Sequence, residues 1–302
     1  MGHRKCMTMQ LRHIFPLALL ATCLPPVQAT AQALPTIDTE DSELGTAPVG
    51  TSWLHPSLAI DLRNGDFVRG GYDDDGAGLS RLPAHVQLGL GADLHRGSDG
   101  RPDLWLVARS SNGFHAPRPG EASPRGWYES NTNLGLVAAL APGLRGAASY
   151  VIKTSPNGVS DTTHEASASF ALDRMTGLGA LKPTFVATIH ARGGKGLYTQ
   201  FGIGPELDLG GGGNGPSLSF PAHLGFGWND FYGPASGRVL YGDAGIAYAH
   251  PLTIGAVHGE LQASAVALFR DRTLRRLGRQ SSQEAETGAV LPYASLSLTI
   301  AY

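Results

Sequence analysis

Cysteine is nearly missing from this 302-residue chain: Cys6 and Cys23 are the only two, and nothing after residue 23 carries a thiol. That excludes a disulfide framework, a thiolate metal centre and a cysteine nucleophile from the body of the protein. Charge is sparse as well, with Asp, Glu, Lys and Arg at 16% of residues, less than a water-soluble enzyme usually carries. Long apolar runs are also lacking. Beyond the first two dozen residues no segment approaches 18 consecutive apolar side chains, so no membrane-crossing helix is expected there. Glycine, by contrast, is abundant at 41 residues, and mean hydropathy is close to zero at −0.08. A helical membrane protein would be far more hydrophobic. Near-neutral hydropathy is expected where lipid-facing and lumen-facing side chains alternate and cancel in the average.

The first segment reads as an export signal. Arg4, Lys5 and Arg12 precede an apolar run from Ile14 to Leu24, and Ala31-Gln32-Ala33 offers a small-residue cleavage site, which defines a signal peptide over 1–33. The run is about eleven residues, too short to span ~30 Å of hydrocarbon as a helix. Leu20-Ala21-Thr22-Cys23 is a rival lipoprotein motif, poorly matched by Thr before the cysteine. Removing Arg4, Lys5 and Arg12 leaves 20 of the 23 Lys and Arg against 25 Asp and Glu, a net charge near −5. That balance argues against nucleic acid as a partner, because phosphate binding needs a basic excess. Residues 34–52 are acidic and turn-rich, with Asp38, Glu40, Asp41 and Glu43 between Pro35 and Pro48. They read as a disordered periplasmic lead-in to a domain over 53–302.

From residue 53 onward one pattern recurs, alternation with a period of two, which sends alternate side chains to opposite faces of a strand. Leu218, Phe220, Ala222, Leu224, Phe226 and Trp228 interleave with Ser217, Ser219, Pro221, His223, Gly225 and Gly227. Val86, Leu88, Leu90, Ala92 and Leu94 alternate in the same way with Gln87, Gly89, Gly91, Asp93 and His95. Runs of this length suit tilted membrane strands, which need ~9–11 residues, better than the shorter strands of soluble domains. Short and long breaks between runs also alternate, as periplasmic turns and extracellular loops do. The reading is an all-β fold, an antiparallel transmembrane β-barrel of about twelve strands. Ten or fourteen are the alternatives, because Asn64-Gly65 is a hairpin signal that could split the first stretch.

The end of the chain is the most specific feature. Tyr302 is terminal and aromatic, with Ile300, Leu298 and Leu296 behind it at steps of two. This resembles the C-terminal signal of Gram-negative outer-membrane barrels, which implies insertion by the barrel assembly machinery into outer-membrane lipid. Aromatic residues near strand ends suggest two interfacial girdles: Trp127, Tyr128, Trp228, Phe231, Tyr232 and Phe269 at the outer rim, and Trp53, Tyr248 and Tyr302 at the inner rim. A periplasmic β-sandwich or lipocalin-like barrel explains the alternation, but not so many long strands with apolar outer faces.

Enzymatic constellations are weak. His55-Pro56-Ser57 has a His-x-Ser spacing used by outer-membrane phospholipases, without the surrounding sequence. Asp73, Asp74 and Asp75 near His164 and His190 only loosely resemble a surface protease of the omptin group. Three adjacent acids do not make a calcium loop, and Gly210 to Gly213 with Asn214-Gly215 lacks the Lys-Ser/Thr of a phosphate loop. No enzyme, cofactor or metal is expected. The inward face is predicted to carry Arg145, Lys153, Lys182, Arg192, Glu206, Asp208, Asp243 and Glu260, with Asp93, Glu129, Glu165, Asp173 and Arg270. Such charges either line a water-filled passage or pair into a plug. Paired inward glycines (Gly89/Gly91, Gly202/Gly204, Gly225/Gly227) either open space or permit bending.

Pro56-Ser57-Leu58-Ala59-Ile60-Asp61-Leu62-Arg63, followed by Gly65-Asp66-Phe67-Val68-Arg69-Gly70, resembles the early strands of OmpV-like barrels, the family of the MltA-interacting protein. That resemblance implies a scaffold touching a periplasmic cell-wall enzyme, a murein hydrolase. The expected functions are therefore a passive channel for small polar solutes first, a structural or adaptor barrel second, and an outer-membrane hydrolase third. Because Tyr302 and Leu296 share the lipid face, deleting Tyr302 should impair insertion much more than replacing Thr299 or Ser297. The gel mobility of heated against unheated outer membranes measures this; equal folded bands for all three variants would refute it.

Overall fold

The computed structural model describes residues 53–301 apart from 73–78, 98–101, 118, 120–121, 159, 173–176, 211–214, 255–256 and 282–287. The signal segment, the acidic lead-in, Asp73 to Asp75, Asp173 and Tyr302 lie outside the described residues. Twelve strand segments run up and down in chain order. They are β1 (Leu54–Arg63), β2 (Ala84–Arg96), β3 (Pro102–Phe114), β4 (Trp127–Ala141), β5 (Leu144–Thr154) and β6 (Thr163–Leu172). Then come β7 (Thr184–Arg192), β8 (Leu197–Ile203 with Glu206–Asp208) and β9 (Ser217–Ser219 with Ala222–Trp228). The last three are β10 (Val239–Ile254), β11 (Val257–Arg270) and β12 (Val290–Ala301).

Each strand pairs antiparallel with the next, and β12 returns to β1 with Leu58 opposite Ile300 and Leu62 opposite Leu296. The sheet is a closed ring. The strand number is settled at Asn64-Gly65: the segments Phe67–Val68 and Gly71–Tyr72 that follow pair only with each other and not with the wall. Two strands are interrupted by proline, which has no N–H to give a ladder. Pro205 in β8 and Pro221 in β9 fall almost opposite one another, and the Phe220 N–H bridges the gap to the Pro205 carbonyl at 2.9 Å.

Alternation sorts the side chains as the ring demands. Leu88 (56% exposed), Phe201 (55%) and Leu224 (54%) face outward, together with Leu134, Phe170, Ile189 and Leu296. In water a continuous apolar belt of this kind would be a severe aggregation liability; against acyl chains it is the expected exterior. Inside, Asp61, Arg63, His85, Glu129, Glu165, Gln200, Asp243, Gln262 and Arg270 are buried. No helix among the described residues is long and apolar enough to cross a membrane, and we read the strands as the spanning elements. The longest connections, 64–83, 115–126 and 271–289, leave one end of the ring, taken as the outer end. The opposite end has tight turns such as Pro142-Gly143, where Gly143 takes a φ of +77° that glycine accommodates without strain.

The connection after β11 contains helix α1 (Arg272–Ser281). Asp271 starts the helix, its Oδ1 accepting the Leu274 N–H at 2.8 Å and its Oδ2 the Leu240 N–H at 2.9 Å. Leu274 is then driven into the barrel mouth, 2% exposed. Arg at an outward mid-strand position of a barrel costs about 2–4 kcal/mol. Leu224→Arg should therefore lower the yield of heat-modifiable folded protein, whereas Thr299→Arg, inward and opposite Glu260, should fold. Gly225→Arg is not a suitable lumen control, since a Cβ at Gly225 would stand 2.1 Å from the Tyr241 ring. Equal yields from the two arginine variants would contradict the assigned faces.

Candidate functional site at the outer mouth

The segment after β1 turns into the lumen. Phe67–Val68 and Gly71–Tyr72 form a two-residue hairpin whose central residues, Arg69 (φ 50°) and Gly70 (φ 78°), both take the left-handed conformation of a type I′ turn. For Arg69 that conformation costs on the order of 1 kcal/mol, and the tip is held by strong contacts. The Arg69 guanidinium donates to both carboxylate oxygens of Glu165 on β6, at 2.9 and 2.8 Å. It lies 4.8 Å from the centre of the Tyr198 ring and 5.2 Å from that of Phe231. The Tyr232 hydroxyl donates to the Arg69 carbonyl at 2.8 Å. Lys153 (3.7 Å) and His190 (3.9 Å) also face Glu165, and the His190 ring stacks on Phe231.

Around this latch the mouth is filled with apolar side chains. Tyr198, Phe231, Val239, Tyr241, Leu268, Leu274 and Leu291 form one buried cluster, joined by Phe67 and Tyr232. Phe67 also meets Tyr293 edge-on at 5.9 Å. Between hairpin and wall there remains a cavity of about 10 Å³ beside Arg69 and Asp243, about the size of a single water. The structure thus corrects the aromatic girdle at three places. Tyr128, Phe231 and Tyr232 do not sit at the lipid interface but point inward, while Phe269 near the outer rim and Trp53 at the inner rim remain exposed on the exterior. The inward glycines make room for these rings: a Cβ at Gly227 would meet Tyr232 at 2.4 Å, one at Gly202 would meet His223 at 2.5 Å, and Gly89 faces Ser57 Oγ.

A second polar group lies beside the first turn of the hairpin. Arg63 ends β1 and binds two carboxylates, Asp61 through Nε and Asp66 Oδ1 through Nη1 at 3.0 Å. His85 Nε2 lies 3.6 Å from the other Asp66 oxygen, 3.3 Å from Glu129 Oε2 and 3.0 Å from the Tyr128 hydroxyl. Tyr128 and Glu129 are consecutive yet both face inward, because Gly113 pairs with Glu129 and Phe114 with Trp127, leaving Tyr128 as the extra residue of a bulge. Burial alone would raise the Asp66 carboxyl, but the His85 imidazole and the Arg63 guanidinium outweigh it and hold the group well below its ordinary 3.8. A depressed carboxylate stabilises the docked segment above that ordinary value and ceases to do so as pH falls through the folded one.

The residues expected on the lumen are distributed along it. Asp243 lies deep inside with His223 Nδ1 at 2.8 Å. Lys153 joins the Glu165 group, and Lys182 pairs with Glu206 toward the inner end. Arg145 and Glu260 are half-buried on inward positions. Arg192 ends β7 exposed at the outer rim, and Asp208 is exposed at the inner rim, where it accepts the Gly210 N–H at 2.8 Å. Ile300, Leu298 and Leu296 lie on the outer face of β12. His55 Nε2 lies 3.3 Å from Asp93 Oδ1 at the inner end of the barrel, and His164 accompanies Tyr150 near the outer rim. Sequence reasoning passed over Asp66, Arg69 and His85. The available signal was a second turn, Arg69-Gly70, so soon after Asn64-Gly65 inside a connection too long for a hairpin.

No family model matches the chain, and no curated protein matches it. Among solved structures the chain is similar to a NanC porin (8% identity, 80% of this chain and 98% of that one, TM-score 0.42). It is similar to outer membrane phospholipase A from Escherichia coli (13%, 82% and 92%, TM-score 0.41) and to LpxR from Salmonella typhimurium (12%, 80% and 99%, TM-score 0.40). The barrel assignment therefore rests on the strand register of this chain.

Breaking one partner of a buried ion pair costs about 3–5 kcal/mol, whereas replacing both by apolar groups is often neutral. Glu165→Gln, which removes the negative charge facing Arg69 and Lys153, should lower the urea midpoint of the folded band in liposomes. The double variant Arg69→Met, Glu165→Leu should recover much of the loss. Equal midpoints for wild type and Glu165→Gln would refute the latch.

Proposed function

We propose that the protein is an outer-membrane barrel that acts as a passive channel for small polar solutes, closed at its outer mouth by residues 66–72 and opened when the Arg69–Glu165 latch releases. The observation that carries this reading is the way the plug is held. Its tip is fixed by a charged, hydrogen-bonded pair on a two-residue turn, a contact that water and ions can replace. Beneath it the inward wall is built largely from small and polar side chains, among them Ser57, Ser149, Gln262, Ser264, Ser295 and Ser297. Half-buried Arg145, Lys182, Glu206 and Glu260 follow toward the inner end. No catalytic role is part of the proposal.

A second reading has an observation of its own. The apolar cluster of Phe231, Tyr241, Leu268 and Leu274 supports a plug that never leaves. The barrel would then be a structural or adaptor scaffold, in keeping with the OmpV-like resemblance of residues 56–70, meeting a murein hydrolase through the acidic segment 34–52. Planar bilayers separate the two. A channel predicts discrete conductance steps that are rare for wild type and frequent for Arg69→Ala and Glu165→Ala. Silence from all three proteins, each shown to be folded by heat-modifiable mobility, would overturn the channel. Crosslinking from 34–52 that recovers a cell-wall enzyme would then support the scaffold.

A further inference from the structure

The group around His85 is built differently from the latch. Three oxygens converge on a single imidazole nitrogen: Tyr128 Oη at 3.0 Å, Glu129 Oε2 at 3.3 Å and Asp66 Oδ2 at 3.6 Å from Nε2. One Nε2–H can satisfy one acceptor well, not three. Both carboxylates are also held by their far oxygens. Arg63 Nη1 donates to Asp66 Oδ1, and Asn131 Nδ2 donates to Glu129 Oε1. The near oxygens are thereby aimed at Nε2. Outer atoms anchored by other side chains and inner atoms pointed at a common centre are the usual arrangement around a metal ion.

Distances and charge agree with that arrangement. Two ligands on one ion at 2.0–2.2 Å in tetrahedral geometry stand about 3.3–3.6 Å apart, the separations His85 keeps from Glu129 and Asp66. The candidate ligand atoms of Asp66, His85 and Glu129 all lie within 4.8 Å of one another, and all three residues are buried. Asp61, Asp66 and Glu129 bring three negative charges, and Arg63 returns one. With a neutral imidazole these side chains leave two charges to balance, as a divalent cation does. One imidazole, two carboxylates and a phenol are a borderline nitrogen and oxygen set. Calcium and magnesium prefer oxygen alone, so a first-row transition ion fits better. The bulge serves the same end, since a side chain at Gly113 would stand 2.7 Å from Tyr128 Cζ and 3.0 Å from Glu129 Cβ.

We propose that Asp66, His85 and Glu129, with Tyr128 beside them, bind one divalent transition-metal ion of the Zn²⁺ class. His85 and Glu129 belong to wall strands β2 and β4, whereas Asp66 belongs to the in-turned segment. The ion therefore staples the base of the plug to the wall, as the Arg69–Glu165 pair staples its tip. The site stands whether or not the barrel conducts.

The test uses tag-free full-length protein in detergent, stripped with chelator and dialysed against Zn²⁺. One Zn²⁺ per chain is expected, and Co²⁺ in its place should show the visible bands of a low-coordinate site. His85→Ala and Glu129→Gln should weaken Zn²⁺ binding by about tenfold or more, and His223→Gln, in a separate lumen pair, should leave it unchanged. Asp66→Asn changes no wall strand, so it reports on the ligand without threatening barrel closure, and it should weaken binding as well. Folded wild type that takes up no stoichiometric Zn²⁺, or variants that bind like wild type, would overturn the site in favour of a protonated His85 shared between two carboxylates.

Discussion

Backbone hydrogen bonding in hydrocarbon is the constraint on which everything else in this protein depends. An unpaired N–H or C=O facing acyl chains costs several kcal/mol, and a sheet escapes that cost only by having no edges. The pairing of β12 with β1, Ser57 opposite Ala301 through Arg63 opposite Ser295, removes the last two edges. Once the ring is closed, alternation has one consequence on each side. Leucine and phenylalanine go to the lipid, and the lumen receives what remains, much of it polar. The usual core is thereby inverted, and the inside is stabilised by ion pairs, hydrogen bonds and inserted rings.

That inversion explains why the outer mouth looks as it does. A lumen walled by charge and glycine has little to bury until something fills it. The hairpin after β1, helix α1 and the Phe231 segment supply the missing volume, and the glycines of β8 and β9 leave room for Tyr232, Tyr241 and His223. Charged residues then find partners on these insertions: Glu165 of the wall meets Arg69, and Asp66 comes to His85 and Glu129. The two polar groups sit at opposite ends of the same short segment, so whatever acts on one bears on the position of the other.

The closed, twelve-stranded, antiparallel ring was legible because period-two alternation is a local property, carried by neighbours such as Leu224 and Gly225 with no need of long-range information. Loop alternation and the pairing of a terminal amphipathic strand with the first one followed from it. Tyr128 was misjudged because a bulge reverses alternation for one residue, and nothing in Trp127-Tyr128-Glu129 announces the bulge. Phe231 and Tyr232 were misjudged because an aromatic residue at a strand end suits an interface and a plug equally well. Helix α1 was hidden because its apolar content is little more than Leu274 and Leu277 among arginines.

The amino-acid sequence alone determined which face of each strand meets lipid, roughly where the strands end, and that the ring has to close. Only the tertiary structure decided what occupies the lumen. Arg69 and Glu165 are 96 residues apart, and Asp66 and Glu129 reach His85 from a connection and from β4, so neither meeting leaves a mark in any local pattern. Their meeting depends on the diameter and register of a finished barrel, which exist only after every strand has paired.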